Sequence, residues 1–377
     1  MPSIAHVQVM PKLSGVQNFS LHILKDLPFD EKYLICSEAE QVAEGQREEF
    51  IQAFTEAGVK IIWAKHLCRS TGPHDLAATL ELWQIFRRYR FDIVHTNSTK
   101  PGVIARIAAR LAGIKKVIHT VHGIAFHEHE SLLKRVFYYG LEAFALQFGH
   151  VNVSVNKFYL RYYRPFFWKK NCFIYNGINP EKWINQAPVT PSLSEAEEGK
   201  AVKRVLFVGR LDTQKNPLTA IRAFACLLGK LPGAHFDMVG DGELRADCEA
   251  LVRELGIEQQ VTFHGWIGNP EHFYARCDVF FCPSLYEAFG FTFTEAALFS
   301  RPIVASDVEG IPEVVIANKM GLICSADDYA AQADCLYRIL TDSSLAAEFG
   351  RFGRQHVIEH FPLSNCLKQY LKLYTDE

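Results

Sequence analysis

The sequence predicts an α/β chain of two domains, each built on a parallel sheet covered by helices. Short apolar runs typical of buried strands alternate with amphipathic stretches of helical spacing. Several of these runs stop at polar residues or glycine, as strands do at the ligand-binding edge of such sheets. The 377 residues suit two domains of ordinary size, and the strand–loop–helix pattern starts afresh at residue 204.

In the first half, the predicted strands are residues 4–10, 33–36, 59–63, 91–97 and 116–121. The helices predicted between and after them are residues 17–27, 50–57, 73–89 and 102–112. Four polar strand ends, at Gly15, Asn97, His122 and Asn156, are expected to meet at one edge of the sheet. The polar segment at residues 186–200 contains prolines and is interpreted as a linker or a surface excursion.

In the second half, the predicted strands, some with their turns, are residues 204–208, 236–242, 261–267, 279–282 and 302–306. Two helices are predicted with both ends, at residues 217–228 and 363–374. Three more are predicted with one end only: one ends at 255, one begins near 294 and one begins near 313. Pro217 fits the first turn of its helix, where a missing N–H costs nothing. Glu287 is predicted in the loop after a strand, and Glu295 in the first turn of the next helix.

Composition narrows the class of protein. The chain is 49% hydrophobic and 22% charged, which is globular and excludes a disordered chain. No apolar run approaches the roughly 20 residues that span a bilayer, and the N-terminus lacks a signal-peptide pattern. The ten cysteines form no CxxC pair. We therefore expect a reduced cytosolic protein, not a disulfide scaffold or a zinc ribbon.

Charge is distributed unevenly, although the net charge is −2. Residues 1–170 hold 22 Lys/Arg and 15 Asp/Glu, whereas residues 171–377 hold 18 and 27, which suggests two domains with different neighbours. Residues 131–170, the basic aromatic segment, hold seven Lys/Arg against one acid, interleaved with aromatic side chains. This mixture suits an anionic membrane surface, although the aromatics could instead pack internally. Single-stranded nucleic acid is a weaker alternative, because the second half is acidic.

Several motifs together resemble a known enzyme family. In the second half they are, in order, GRLxxxKN from residue 209, GDG from 240, PSxxExFG from 283 with Glu295, and GIPE from 310. In the first half they are TNSxKxGxxxR from residue 96 and TVHG from residue 120. The set resembles the retaining glycosyltransferases of family 4. The pattern from residue 96 resembles the bacterial members that build lipid-linked surface polysaccharides.

This resemblance implies the GT-B architecture, in which two Rossmann-like domains face each other across a cleft. Residues 1–183 would bind the acceptor and residues 184–362 the nucleotide-sugar. Residues 363–377 would form a helix that crosses back to the first domain.

The resemblance also implies roles for individual residues. Glu295 would accept hydrogen bonds from the ribose, Glu287 would contact a hydroxyl of the donor sugar, and His122 would reach that sugar from the other domain. Arg210 and Lys215 are suited to binding the donor diphosphate. A guanidinium can donate two parallel hydrogen bonds to phosphate, and an ammonium adds a point charge. Further donor-binding positions are Gly15, Trp266, Ile267, Gly290, Phe291 and Thr292, the last three at a helix N-terminus. Ser14 stands where the family often has a second glycine, which affects the role of Gly15.

The expected reaction transfers a sugar, with a UDP-linked donor favoured, to a polyprenyl-diphosphate-linked saccharide in O-antigen, capsule or exopolysaccharide synthesis. The enzyme would be peripheral on the cytoplasmic face of the inner membrane, with no nucleic-acid partner. Acceptor or membrane contacts are assigned to Asn97, Lys100, Arg161, Arg164, Lys169 and Lys170. No Asp-x-Asp motif occurs, so neither a metal nor another cofactor is expected. The alternatives are a transferase with a soluble acceptor and a GT-B nucleotide-sugar epimerase; a non-enzymatic sensor is disfavoured because the site residues are present.

Overall fold

The computed structural model of the chain describes residues 2–184 and 202–375. The interpreted linker at residues 186–200 lies outside the described residues. The chain divides into two compact units, Met1–Asn176 with Ser364–Glu377, and Gly177–Leu363. This division falls at residue 176 rather than 183, so the helix at Pro180–Ile184 belongs to the second unit.

The first unit is organised around a parallel sheet. Within the described residues its strands are β1 Ser3–Val7, β2 Glu31–Ser37, β3 Lys60–Ala64, β4 Ile93–Asn97, β5 Lys116–Val121, β6 Val151–Ser154 and β7 Lys170–Phe173. Their order is β3-β2-β1-β4-β5-β6-β7, and every neighbouring pair is parallel. The order reverses between β1 and β4, which creates the switch point where open α/β sheets bind ligands.

Helices cover both faces of this sheet. They are α1 Gly15–Asp26, α2 Gln46–Glu56, α3 His74–Tyr89, α4 Thr99–Leu111, α5 Leu132–Leu146 and α6 Leu160–Tyr163. On one face, Phe19 of α1 and Phe50 of α2 join one buried cluster. On the other face, Phe86 of α3 and Ala108 of α4 join a second cluster. The predicted helix-covered parallel sheet is confirmed.

The second unit repeats this plan. Within the described residues its strands are β8 Arg204–Val208, β9 His235–Val239, β10 Val261–Gly265, β11 Val279–Cys282, β12 Ile303–Ser306 and β13 Gly321–Cys324. They are parallel, in the order β10-β9-β8-β11-β12-β13. The switch point therefore lies between β8 and β11. Val205, Leu206 and Phe207 are fully buried, as expected for a strand covered on both faces.

The helices of the second unit are α7 Pro180–Ile184, α8 Pro217–Leu228, α9 Arg245–Glu254, α10 Glu271–Arg276, α11 Phe291–Leu298, α12 Ile311–Val314, α13 Tyr329–Thr341 and α14 Ser343–His360. Pro217 opens α8, as predicted. Gly240 follows β9 with φ +138, and a Cβ there would lie 1.8 Å from the carbonyl oxygen of Gly209. Glycine at residue 240 thus lets the loops after β8 and β9 approach each other.

The C-terminal helix, α15 Leu363–Thr375, belongs to the first unit from Ser364 onwards. Cys366, Tyr370, Leu373 and Tyr374 are buried in the cluster that also holds Phe19. Burying these side chains on one stripe of the helix stabilises its attachment to the first sheet.

Candidate active site

The centre of the candidate site in the second unit is an ion pair between Lys215 and Glu287. Lys215 lies in the loop after β8, and Glu287 in the loop after β11, the two strands that flank the switch point. The side chains are only 12% and 11% exposed. Two hydrogen bonds hold the backbone of Glu287 in place. Its N–H donates to Glu309 Oε2 at 3.0 Å, and its carbonyl oxygen accepts from the N–H of Gly310 at 3.0 Å.

Electrostatics keep the Lys215 ammonium charged. Burial disfavours the charged form, but the Glu287 carboxylate outweighs this effect and holds the pKa of Lys215 above its usual value. Lys215 therefore supplies a fixed positive charge at the end of β8, which is what an anionic ligand requires.

The start of α11 adds backbone and side-chain donors beside this pair. Gly290 is the N-cap with φ +78, a conformation that suits glycine. A Cβ there would lie 2.4 Å from Cδ2 of Phe293 and 3.3 Å from Cγ of Glu287. The hydroxyl oxygen of Thr292 is buried and has no hydrogen-bond partner among the described residues. A buried polar atom without a partner is unusual, and a ligand at this helix end would satisfy it.

The predicted start of the helix that contains Glu295 is wrong. The helix was expected to begin near Thr294, with Glu295 in its first turn. It begins at Phe291, because Gly290 rather than a threonine forms the N-cap, so Glu295 lies in the second turn. There the Glu295 carboxylate accepts a hydrogen bond of 2.7 Å from the hydroxyl of the buried Tyr274.

Arg210 is tied to its own loop. Its guanidinium makes an ion pair with Asp212 at 2.7 Å and donates to Gln214 Oε1 at 2.7 Å. Gln214 also donates to the carbonyl oxygen of Tyr286 at 3.1 Å, which joins the loops after β8 and β11. The Arg210 side chain is 56% exposed, so the guanidinium remains accessible from solvent.

Trp266 and Ile267 follow β10, the edge strand of the second sheet. Trp266 is largely exposed and Ile267 is half-buried. Because β9 lies between β10 and β8, these residues are one strand removed from the Lys215 loop. They extend the candidate site along the sheet edge rather than joining the ion pair.

The first unit contributes a second polar group of residues at its own switch point. The Nε2 atom of His122 lies 3.0 Å from Oδ1 of Asn97. Nδ2 of Asn97 lies 3.5 Å from the carbonyl oxygen of His95, which can only accept. This assigns Oδ1 to His122, so His122 donates from Nε2. Burial lowers the pKa of His122 to about 3, which leaves Nδ1 as a neutral acceptor.

Sequence reasoning missed the buried network behind His122. His95 Nδ1 lies 2.6 Å from the hydroxyl of Tyr374, and His95 Nε2 lies 2.7 Å from Thr120 Oγ1. Thr120 also lies 3.0 Å from the hydroxyl of Tyr370. The histidines at the strand ends were a possible signal, but their tyrosine partners are on the C-terminal helix, far away in sequence.

Gly15 is the first residue of α1 rather than part of the loop before it, and Ser14 is the N-cap. The Ser14 hydroxyl donates to the side-chain oxygen of Gln17. Asn156, the fourth predicted strand end, accepts from the backbone N–H of Tyr159 at 2.8 Å and so stabilises the following turn.

Comparison with known proteins agrees with the motifs. The family model of glycosyl transferases group 1 matches residues 193–356, and that of Glycosyltransferase Family 4 matches residues 30–182. The UDP-Gal:alpha-D-GlcNAc-diphosphoundecaprenol alpha-1,3-galactosyltransferase of Escherichia coli is 30% identical, over 99% of this chain and 96% of its own length. The chain belongs to glycosyltransferase family 4. The resemblance drawn from the motifs is confirmed, and the protein is a glycosyltransferase.

Two further relatives of this glycosyltransferase are informative. The N-acetyl-alpha-D-glucosaminyl L-malate synthase of Bacillus anthracis is 26% identical, over 81% of this chain and 80% of its own. The crystal structure of Anabaena Alr3699/HepE in complex with UDP and glucose has a TM-score of 0.80 at 20% identity and covers 99% of both chains. The predicted GT-B fold class is thereby confirmed.

Among residues 2–184 and 202–375, no group of three or more His, Cys, Asp and Glu side chains is arranged to hold a metal ion. Metal independence stays a prediction. None of the described helices is both long enough and apolar enough to cross a bilayer.

The cations assigned to the acceptor or the membrane differ in their surroundings. Lys100 is largely buried, pairs with Asp75 and donates to the carbonyl oxygen of Ser70. Lys169 donates to the carbonyl oxygen of Gln147 at 2.8 Å. The guanidinium of Arg161 lies over the ring of Phe158, 3.6 Å from its centroid.

The remaining two, Arg164 and Lys170, are exposed. Both side chains are thus accessible from solvent, and Lys100 and Lys169 also hold the first unit together.

The basic aromatic segment is divided between core and surface. Tyr159 and Tyr163 are 1% and 2% exposed, so internal packing accounts for part of it. Several other apolar side chains in this segment are more than half exposed. We call six of them the apolar patch: Leu132, Leu133, Val136 and Phe137 on α5, with Phe167 and Trp168. Trp168 is held near the end of α5 by a 3.3 Å hydrogen bond from Nε1 to Gln147 Oε1.

Proposed function

We propose that this glycosyltransferase transfers a hexosyl or N-acetylhexosaminyl group from a UDP-sugar to a sugar carried on polyprenyl diphosphate, with retention of anomeric configuration. The product belongs to O-antigen, capsule or exopolysaccharide synthesis. Support for the donor and the acceptor comes from the Escherichia coli relative, whose name states UDP-Gal and a diphosphoundecaprenol-linked GlcNAc. Its similarity extends over both units, which supports the donor and the acceptor assignments together.

The observation that carries the donor assignment is the buried Lys215–Glu287 pair at the second switch point, next to the start of α11. The donor diphosphate binds there. The Lys215 ammonium has three N–H donors, so it donates to phosphate oxygens while it remains paired with Glu287. Gly290, Phe291 and Thr292 add backbone N–H groups, and the hydroxyl of Thr292 gains the partner that it lacks in the part of the chain that the structure describes.

The neighbouring residues complete the donor site. Arg210, which is accessible, rotates from Asp212 onto the diphosphate. Glu295 accepts from the ribose, with Tyr274 holding its carboxylate in place. Trp266 and Ile267 meet the base along the sheet edge, and Gly15, as the first residue of α1, allows the phosphates to approach the backbone closely.

The chemistry follows from these charges. The bond between C1 of the sugar and the bridging phosphate oxygen breaks, and the acceptor oxygen bonds to C1 on the same face. The acceptor proton passes to an oxygen of the departing diphosphate, whose charge Lys215 stabilises. Glu287 is held by Lys215 and contacts a sugar hydroxyl rather than attacking C1. His122 accepts from another donor hydroxyl through Nδ1. No step requires a metal.

The acceptor lipid implies a membrane location, and we place the enzyme as a peripheral protein on the cytoplasmic face of the inner membrane. The apolar patch on α5 enters the headgroup layer. Arg161, Arg164 and Lys170, with Lys169 and Lys100 behind them, face anionic lipid or the acceptor diphosphate.

The proposal is tested by incubating the purified enzyme with a polyprenyl-diphosphate-linked GlcNAc acceptor and each of four donors: UDP-galactose, UDP-glucose, UDP-GlcNAc and UDP-GalNAc. We expect one donor to give a disaccharide lipid in which NMR shows the α configuration of the donor. A β-linked product contradicts retention. Lys215→Met is the matched inactive control.

One alternative retains specific support. The Bacillus anthracis relative, N-acetyl-alpha-D-glucosaminyl L-malate synthase, is named for a product that carries no lipid. A transferase with a soluble acceptor predicts turnover with sugar phosphates or small acids in the absence of lipid. An epimerase predicts conversion of the UDP-sugar with no acceptor at all. The same donor panel, run with and without each acceptor, separates these outcomes.

A further inference from the structure

A glutamate with an unusual backbone conformation lies beside the ion pair of the candidate site. Glu309 lies between β12 and α12, and its φ is +45. This left-handed region is costly for a residue that has a Cβ, and glycine, asparagine and aspartate tolerate it best. Asn318 of the same unit has a φ of +58, as expected for asparagine. Glutamate has no such preference, so its presence at residue 309 needs a physical reason.

The carboxylate of Glu309 supplies that reason. Its Oε2 atom accepts from the backbone N–H of Glu287 at 3.0 Å. The N–H of Gly310, the next residue, donates to the carbonyl oxygen of Glu287 at 3.0 Å. Two consecutive residues after β12 therefore hold the two peptide groups of Glu287. A hydrogen bond to a charged acceptor is about twice as strong as one between neutral groups, which offsets the strain of the left-handed backbone.

Glycine would satisfy the backbone of this turn by itself. It adopts a positive φ at no steric cost, but it has no carboxylate to accept from Glu287. Strained residues persist where the surrounding structure holds them, and they are concentrated at functional sites. The glutamate at residue 309 thus indicates a role for the side chain rather than for the turn alone.

The position of the Glu287 carboxylate depends on the backbone that Glu309 holds. The Glu287 side chain has several rotatable bonds, and its pairing with Lys215 restrains only the far end. The Lys215 loop has a separate support, because the Lys215 N–H donates to Asp212 Oδ1 at 3.1 Å. Loss of the Glu309 contact should therefore displace Glu287 and leave the backbone of Lys215 in place.

We propose that Glu309 is a positioning residue for Glu287 in sugar transfer. The inference rests on the proposed function, because it assumes that Glu287 contacts a hydroxyl of the donor sugar. Glu309 itself touches no substrate. It holds the Glu287 backbone so that the Glu287 carboxylate meets that hydroxyl in the geometry that transfer requires. A displacement of about 1 Å at such a contact can lower a rate about a hundredfold.

Three substitutions at residue 309 separate the carboxylate from the backbone conformation. Glu309→Ala removes the acceptor and keeps the strain, whereas Glu309→Gly removes the acceptor and relieves the strain. We expect both to lower kcat about tenfold or more, while Glu309→Gly melts about 2–4 °C above Glu309→Ala. Glu309→Gln keeps an acceptor oxygen and should recover most of the wild-type kcat. The affinity for UDP, measured by calorimetry, should stay close to wild type in all three, because Lys215 is unchanged.

Asn318 provides the matched control. It is exposed, has a positive φ and lies in the turn before β13. Asn318→Gly should melt above Asn318→Ala for the same reason, but neither should change kcat. A purely structural role of Glu309 predicts instead that kcat follows the melting temperature across its three variants, and that result overturns the proposal.

Hydrogen exchange at the Glu287 amide gives a second readout that needs no turnover. The Glu287 N–H should exchange faster in Glu309→Ala and Glu309→Gly than in wild type, and Glu309→Gln should restore protection. If wild type transfers sugar and Glu309→Ala keeps the wild-type kcat, the positioning role is rejected while the proposed function stands. If wild type transfers no sugar to any acceptor, the proposed function fails. Unchanged exchange in Glu309→Ala then rejects the positioning contact independently, and faster exchange supports it.

Discussion

The Nε2 atom of His122 lies 3.0 Å from Oδ1 of Asn97, and this contact determines the protonation of the imidazole. The proton is held on Nε2, so Nδ1 remains free to accept. Asn97 is the last residue of β4, and His122 directly follows β5, the neighbouring parallel strand. Asn97 is thus a positioning residue for His122, a role that the sequence did not assign.

Replacing Asn97 by Asp tests this relationship. A carboxylate beside the ring favours the imidazolium, so the pKa of His122 should rise and Nδ1 should become protonated near neutral pH. We expect kcat to fall about tenfold at pH 6.5, in the range typical of one positioned polar group, and to recover towards pH 8.5. The pH profile of kcat is the measurement.

Asn97→Ala is the matched control, because it removes the acceptor without adding charge and should lower kcat equally at all pH values. An Asn97→Asp profile identical to wild type contradicts the positioning role.

Buried histidines make the first unit sensitive to acid. Burial lowers the pKa of His122 to about 3, and burial with the nearby His122 lowers the pKa of His6 to about 3. In the unfolded chain both rings titrate near 6.5, so below that pH the unfolded state binds protons that the folded state does not. Stability therefore falls from pH 6.5 towards 3, by about 1.4 kcal/mol per pH unit for each ring. The pKa values of His95 and His119 are lowered in the same direction.

Urea unfolding at pH 7, 6 and 5 measures this loss. His6→Asn keeps a polar group near Ser20 and removes one titrating ring, so its stability should decline less steeply than that of wild type. Equal stability at pH 7 and pH 5 is incompatible with neutral buried rings.

The two partners of the Lys215–Glu287 pair should have separable roles. Lys215→Met removes a charge that contacts phosphate, so UDP affinity should fall by about tenfold or more, as expected for a hydrogen bond to a charged group. Glu287→Gln keeps the size of the side chain and leaves Lys215 in place, so UDP affinity should change little while sugar transfer falls. Calorimetric titration with UDP and the transfer rate are the two measurements.

Lys319→Met removes an exposed cation of the same unit and should alter neither quantity. Folding of the Lys215 and Glu287 variants needs a melting curve, because breaking a buried ion pair costs roughly 3–5 kcal/mol. Unchanged UDP affinity in a folded Lys215→Met variant rules out the phosphate assignment.

We expect the Glu295 carboxylate to accept hydrogen bonds from the ribose hydroxyls even though Glu295 lies in the second turn of α11. Wild type should bind UDP more tightly than 2′-deoxy- or 3′-deoxy-UDP, and Glu295→Gln should lose that discrimination. Tyr274→Phe removes the 2.7 Å hydrogen bond to Glu295 and should weaken the discrimination only partly. If Glu295→Gln still distinguishes the deoxy ligands as wild type does, Glu295 does not contact the ribose.

The apolar patch should mediate membrane binding. The double substitution Leu133→Glu and Phe137→Glu should abolish flotation with liposomes that contain anionic lipid, because charged groups oppose entry into the headgroup layer. Leu76→Glu is the matched control, since Leu76 of α3 is 70% exposed but lies outside the patch. Flotation that survives the double substitution contradicts this assignment.

The basic residues of the same surface predict a dependence on salt. Charge reversal at Arg161, Arg164, Lys169 and Lys170 should reduce flotation with anionic but not with neutral liposomes, since each cation near such a surface contributes about 1 kcal/mol. Raising the salt concentration should reproduce the effect in wild type. Lys169 is also bonded to Gln147, so its variant requires a folding control.

The sequence predicted local features well and missed pairings over long distances. Short-range patterns in the sequence predict the strand–helix alternation, the start of α8 at Pro217 and the parallel sheets. The start of α11 was misplaced because its N-cap is Gly290, whose positive φ is not visible from residue type alone.

Local pattern alone therefore determined the fold class, the family and the residues at the ends of strands. Only the tertiary structure brought Lys215 to Glu287, Arg106 to Glu142, and His95 to Tyr374 on the C-terminal helix. The reason is physical: sheet order and helix packing decide which distant residues become neighbours, and no periodicity in the chain records that order. The protonation state and the unfilled acceptor of His122 follow from such contacts and from burial, so they too became visible only in the folded unit.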